Sequence, residues 1–169
     1  EIKGIESNIA KSAKHNLKEY NFNFFNSEEE IVKETRAFIA NTLALMLNNL
    51  QDEKINYQIQ FNESWYHLCN KDSIHNVHQH TGCSWCAVYY VDIGDKNSGG
   101  FTEFLNPITS TYQDLGTRYL RKYSTSSPPL QNGGLVLFPS YLWHYQSLYT
   151  GKKDRIVVAC NMKVLPSNS

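Results

Sequence analysis

One change of rhythm constrains this chain more than any other feature: near Lys54 the spacing of apolar residues switches from helical to alternating. Before the switch, Ile5, Ile9, Ala13 and Leu17 recur every four residues, which predicts a short amphipathic helix. A second helix is marked more fully. Ser27 has the side chain of an N-cap, and Glu30 follows three residues on, as a capping box requires. The acidic run at 28–30 suits the positive end of a helix dipole. Val32, Ile39, Leu43, Met46 and Leu50 then share one stripe, which predicts packing against a sheet.

After the switch, Ile55, Tyr57, Ile59 and Phe61 alternate with Asn56, Gln58 and Gln60, the pattern of a half-buried strand. Further strands are predicted over 64–69, 75–80, 84–91, 101–105, 134–138 and 155–164, with turn signals at 70–73, 95–100 and 132–134. Short strands at this spacing make a sandwich or barrel, not a doubly wound sheet. Residues 106–132 read as one long irregular stretch, the length of a lid or binding loop. The 169 residues suit one domain, 1–169, with a helical front over 1–54 and a β core over 55–164.

Lys+Arg and Asp+Glu both number 16, so the chain is neutral and offers no electrostatic case for binding nucleic acid or an anionic membrane. No apolar run approaches the roughly 18 residues of a membrane span. The sequence opens at Glu1 without a signal-peptide pattern. Cys69, Cys83, Cys86 and Cys160 read as reduced thiols, and the expected location is cytoplasmic.

Histidines carry the chemical signal. His75, His78 and His80 lie within six residues. In a strand, residues two apart share a face, so His78 and His80 present two imidazoles side by side while His75 points elsewhere. Such a pair suits iron, zinc, copper or nickel, and equally suits an exposed strand edge. His144, 64 residues after His80, follows the buried segment 135–140 in an aromatic setting, where a core histidine and a ligand read alike. Arg155 opens the apolar run 156–160. Its guanidinium suits a carboxylate, because the fork binds both oxygens at once, although Asp154 beside it offers a plain surface pair.

Taken in order, His78-x-His80, the segment Cys86-Ala87-Val88-Tyr89-Tyr90-Val91, Ser98-Gly99-Gly100-Phe101, Phe138-Pro139-Ser140 before His144, and Arg155 resemble an iron(II)- and 2-oxoglutarate-dependent oxygenase of the small prolyl-hydroxylase-like kind. The resemblance spans about residues 63–164. It implies a mainly β fold, a double-stranded β-helix of jelly-roll or cupin-like form with N-terminal α-helices packed outside. It implies a metal site at His78, His80 and His144, with Fe(II) and the cosubstrate 2-oxoglutarate as cofactors. Arg155 matches the basic residue that holds the far carboxylate of 2-oxoglutarate, and Tyr90 matches a tyrosine that often bonds the same group. The partners implied are dioxygen and a small-molecule or peptide substrate, with hydroxylation of a C–H bond as the outcome.

One position departs from the pattern. His80 stands where most of the superfamily has Asp or Glu. Three histidines leave as many open iron positions as two histidines and a carboxylate, so the chemistry stays geometrically possible. The departure keeps open a three-histidine dioxygenase without 2-oxoglutarate, a further ligand such as Glu103, zinc in place of iron, or a non-catalytic cupin-like sensor. Other candidates are weaker. Cys83-x-x-Cys86 without a second pair reads as core packing with the thiols on opposite sides. Arg118, Arg121 and Lys122, with Tyr112, Tyr119 and Tyr123, form a basic-aromatic patch in the long loop. Trp65 and Trp143 read as core or pocket wall, and Asn161 shares a strand face with Arg155.

Overall fold

The computed structural model describes residues 14–20, 22–52, 54–106 and 125–167. Helix α1 (Glu30–Asn49) is the long front helix predicted from the stripe, but it starts later than its capping signal. Ser27 instead ends a short 3-10 turn (Phe24–Asn26), and its Oγ accepts from the Glu29 N–H at 3.3 Å. Val32, Ile39 and Leu43 are buried, and Met46 packs beside them. Leu50 lies past the helix and is 71% exposed, so the stripe ends one turn earlier than its spacing suggests. The predicted helix over 5–17 falls mostly outside the described residues. Its last part belongs instead to strand β1 (Lys14–Tyr20), which pairs with a long neighbour.

That neighbour, β2 (Tyr57–His78), runs for 22 residues where three strands were predicted. The turn residues at 70–73 do bend the chain, and Asp72 takes a left-handed φ of 65°, but no hairpin forms. Residues 57–69 pair with β8 (Arg155–Pro166), whereas residues 73–78 pair with β7 (His144–Tyr149). One strand thus belongs to two walls. On the first side follow β8, β3 (Trp85–Asp92) and β6 (Leu135–Pro139); on the second follow β7, β4 (Thr102–Leu105) and β5 (Thr125–Ser126). The neighbouring strands run antiparallel throughout the described residues, giving a curled sheet of the double-stranded β-helix type.

Strand β8 shows why its sequence is apolar almost throughout. Val158 and Met162 pack with Phe25, Ile39 and Leu43 of the helical layer, while Arg155, Val157, Ala159 and Asn161 line a cavity between the two walls. A strand covered on both faces has no solvent side to alternate with. Each fully buried Leu or Ile of the helix contributes about 1.5–3 kcal/mol, so this layer fixes the outer face of the sheet and leaves the inner face for chemistry. No helix among the described residues is long and apolar enough to cross a membrane.

Candidate metal and anion site

His78 is the last residue of β2, and His144 the first of β7; the two are register partners. Their ring centroids are 4.2 Å apart. His80 lies beyond the strand, where its N–H donates to the Ser140 carbonyl at 3.2 Å, and its ring centroid is 5.1 Å from His78 and 5.2 Å from His144. One donor atom from each ring falls within 4.8 Å of the other two. Nitrogens bound at about 2.1 Å to one ion are at most about 4.2 Å apart, so the cluster is little wider than a ligand set.

The protonation of two rings follows from their partners. His78 Nδ1–H donates to the Asn76 carbonyl at 2.7 Å, and His144 Nδ1–H donates to the Leu142 carbonyl at 2.9 Å. A carbonyl can only accept, so in the neutral form of each ring the lone pair is on Nε2, the arrangement a metal-binding imidazole needs. Burial against Phe104 and Phe138, then the nearby His78, lower the His144 pKa from 6.5 to about 4, keeping it neutral. No carboxylate joins the three donors among the described residues. Glu103, the extra ligand considered, accepts from the Tyr145 hydroxyl at 2.7 Å instead. Glu63 likewise accepts from Asn161, and Glu19 Oε2 lies 2.6 Å from His67 Nε2, so carboxylates anchor the cavity wall from behind.

Arg155 occupies the inner end. It is 1% exposed, and Nη1 donates to Gln146 Oε1 at 2.9 Å and to Cys69 Sγ at 3.4 Å. The guanidinium lies 5.3 Å from the Tyr90 ring centroid, and the buried Nε–H has no partner. Tyr90 donates its hydroxyl to Thr102 Oγ1 at 2.6 Å. Burial pushes the Cys69 thiol and the Tyr90 phenol up, so both stay protonated. A full positive charge is therefore buried among an amide, a thiol and a phenol. Gly100 makes room for it: at φ 76°, a Cβ there would lie 3.0 Å from Arg155 Cδ. These features fit an anion at the inner end and a divalent cation at the imidazoles.

Several expectations are corrected by this geometry. His75 lines the same cavity and stacks on His78 at 4.0 Å, because the pairing slips between the two residues and resets the strand parity. The Cys83 and Cys86 sulfurs lie 4.0 Å apart rather than on opposite sides, since Cys83 precedes the strand; all four cysteines are free thiols. Asn161 and Trp65 do line the cavity, whereas Trp143 is 47% exposed. Residues 107–124, and with them Tyr112, Arg118, Tyr119, Arg121, Lys122 and Tyr123, lie outside the described residues. Gln146 was not anticipated. It is two residues after His144 in β7, so strand alternation would have placed it on the His144 face had that strand been read.

Solved structures share the fold, three of them as follows. HygX from Streptomyces hygroscopicus, with nickel and 2-oxoglutarate bound, aligns with a TM-score of 0.55 at 15% identity, over 98% of this chain and 74% of that one. A Pseudomonas putida prolyl-4-hydroxylase aligns at 0.52 and 13%, over 87% and 71%. An oxidoreductase of the 2OG-Fe(II) oxygenase family from Burkholderia pseudomallei aligns at 0.52 and 9%, over 71% of this chain and 51% of that one, so this chain spans about half of its length. No curated protein matches by sequence. The family model described as "Putative 2OG-Fe(II) oxygenase" matches residues 63–161, which run from the middle of β2 to the middle of β8 and include His78, His80, His144 and Arg155. The chain belongs to the 2OG-Fe(II) oxygenase family.

Proposed function

We propose that this chain is an iron(II)- and 2-oxoglutarate-dependent oxygenase that hydroxylates a C–H bond of an amino acid, peptide or small metabolite. His78, His80 and His144 hold the metal, and Arg155 holds the far carboxylate of 2-oxoglutarate beside Tyr90. One observation carries the reading: the three-imidazole cluster and a buried arginine with no anionic partner among the described residues line the same cavity. With iron and cosubstrate bound, such a centre activates dioxygen and couples decarboxylation of the 2-oxo acid, to succinate and carbon dioxide, with oxidation of the substrate.

The chain's own residues do the rest. The Asn76 and Leu142 carbonyls orient two of the three rings, so ligand direction is set before metal arrives. Arg155 fixes one end of the cosubstrate, which turns the other end toward the imidazoles. Tyr90 presents its ring to the guanidinium and spends its hydroxyl on Thr102, so it acts as a wall that holds Arg155 in place. Phe104 and Phe138 pack on His144 and exclude water from one side of the centre. Four free thiols suit a reducing compartment, and we assign the protein to the cytoplasm.

The test is 2-oxoglutarate consumption in air with Fe(II). The expected result is succinate and carbon dioxide from the wild type and none from His144→Ala. Metal binding without 2-oxoglutarate turnover favours a cupin-like sensor. Dioxygen uptake without the 2-oxo acid favours a three-histidine dioxygenase.

A further inference from the structure

Gln146 occupies a place where a protein carboxylate would neutralise Arg155. It is buried in β7, its Oε1 accepts from Arg155 Nη1 at 2.9 Å and from the Cys69 thiol at 3.3 Å, and its Nε2–H donates to Ser73 Oγ at 3.3 Å. Nε2–H also donates to the Ser73 carbonyl at 3.5 Å, which can only accept, and the guanidinium can only donate, so the two together fix which end of the amide faces the arginine. Glutamate has nearly the same size and shape and would set an oxygen at the same point. It would then form a buried ion pair with Arg155 and remove the charge that an incoming carboxylate needs.

We propose that Gln146 is a specificity-determining positioning residue, whose neutral amide orients Arg155 without discharging it and so reserves the guanidinium for a dicarboxylate cosubstrate. The proposal rests on the oxygenase reading, and it adds a residue and a mechanism of selection. Gln146 contacts the arginine and acts through it. Cys69, on β2, plays the same part from the other side, with its sulfur 3.4 Å from the same Nη1. Both partners supply hydrogen-bond acceptors, and neither supplies charge.

The experiment uses Mn(II)-loaded protein without dioxygen, titrated by calorimetry with 2-oxoglutarate and, separately, with 2-oxobutyrate, which lacks the far carboxylate. Gln146→Glu is expected to weaken 2-oxoglutarate binding by about 30-fold or more, the scale of a lost charge contact, and to leave 2-oxobutyrate binding within about threefold. Selectivity between the two acids should collapse. Gln146→Met, which removes the acceptor but adds no charge, should cost 2-oxoglutarate less than about tenfold. Without metal or acid, Gln146→Glu should melt at a higher temperature than the wild type, because a buried cation gains a partner. This combination of tighter folding and weaker binding is one that mere damage to packing does not produce.

Equal losses in the Glu and Met variants, or undiminished 2-oxoglutarate binding in Gln146→Glu, would overturn the proposal. Should Gln146→Glu not fold, Cys69→Asp against Cys69→Ser makes the same comparison on the same nitrogen, with the same expected contrast. A wild type that binds no 2-oxoglutarate would instead refute the oxygenase reading, so the two failures are distinguishable.

Discussion

At one end of the cavity three imidazoles converge, two of them tied through Nδ1 to a carbonyl two residues back. At the other, one guanidinium is buried among an amide, a thiol and a phenol. The first end concentrates lone pairs without negative charge; the second concentrates positive charge without a counterion. Each is incomplete as a piece of protein, and the deficits are opposite. A bare buried cation is costly to a fold, so its persistence at Arg155 points to a ligand that completes it. The histidine end costs less, because the most buried of its imidazoles, His144, is held neutral by burial. Removing a residue at the two ends should therefore have different consequences for folding while both abolish function.

The largest effect is expected at the metal end. His144→Ala should reduce Fe(II)-dependent turnover to background, and added Mn(II) should raise the melting temperature of the wild type but not of the variant. At the anion end, Arg155→Met should weaken 2-oxoglutarate binding by about 2–5 kcal/mol, roughly 30-fold or more, yet leave the ligand-free protein as stable as the wild type or more so. Calorimetric titration and thermal melting of both variants check the contrast. A strong loss of stability in Arg155→Met would show that the arginine is a structural strut.

Two smaller effects sharpen the comparison. Gly100→Ala places a Cβ 3.0 Å from Arg155 Cδ at a left-handed φ of 76°. It should cost about 1–2 kcal/mol in denaturant unfolding and raise the KM for 2-oxoglutarate, while metal affinity stays unchanged. The last effect is a pH dependence of the metal-free protein. The folded pKa of His144 is depressed from 6.5 to about 4, chiefly by burial. The unfolded chain therefore binds the proton first, and the stability contributed by the neutral ring is full above pH 6.5 and lost as pH falls toward 4. Melting curves between pH 7 and 4 should fall for the wild type and fall less for His144→Phe.

The unequal legibility of the two ends has a physical cause. His78 and His80 stood out in the sequence as a same-face pair on one predicted strand, and Arg155 as a charge opening an apolar run. Strand β7 did not, and with it Gln146 was missed. Its inward residues include His144 and Gln146, so the positions that normally carry the apolar half of the alternation carry polar side chains instead. Of the two cuts predicted in β2, the one at 70–73 arose because Asn70-Lys71-Asp72-Ser73 has true turn chemistry, used here to bend one strand between two walls, and the one after Phe61 coincides with a slip in its pairing with β8. The parity argument failed at His75 for a related reason: a slip in pairing changes which face a residue takes, and no spacing rule reports a slip. The helix stripe and the apolar strand β8 were legible because packing alone dictates them.

The proposal that joins the two ends is that they grip one molecule. Its most direct test is the affinity for 2-oxoglutarate, measured by calorimetry without dioxygen, for wild type and Arg155→Met, each with and without Mn(II). Wild type with metal should bind most tightly, removing either the metal or the arginine should weaken binding by about tenfold or more, and removing both should abolish it. An affinity indifferent to the metal, or indifferent to Arg155, would show that the two ends do not hold one molecule.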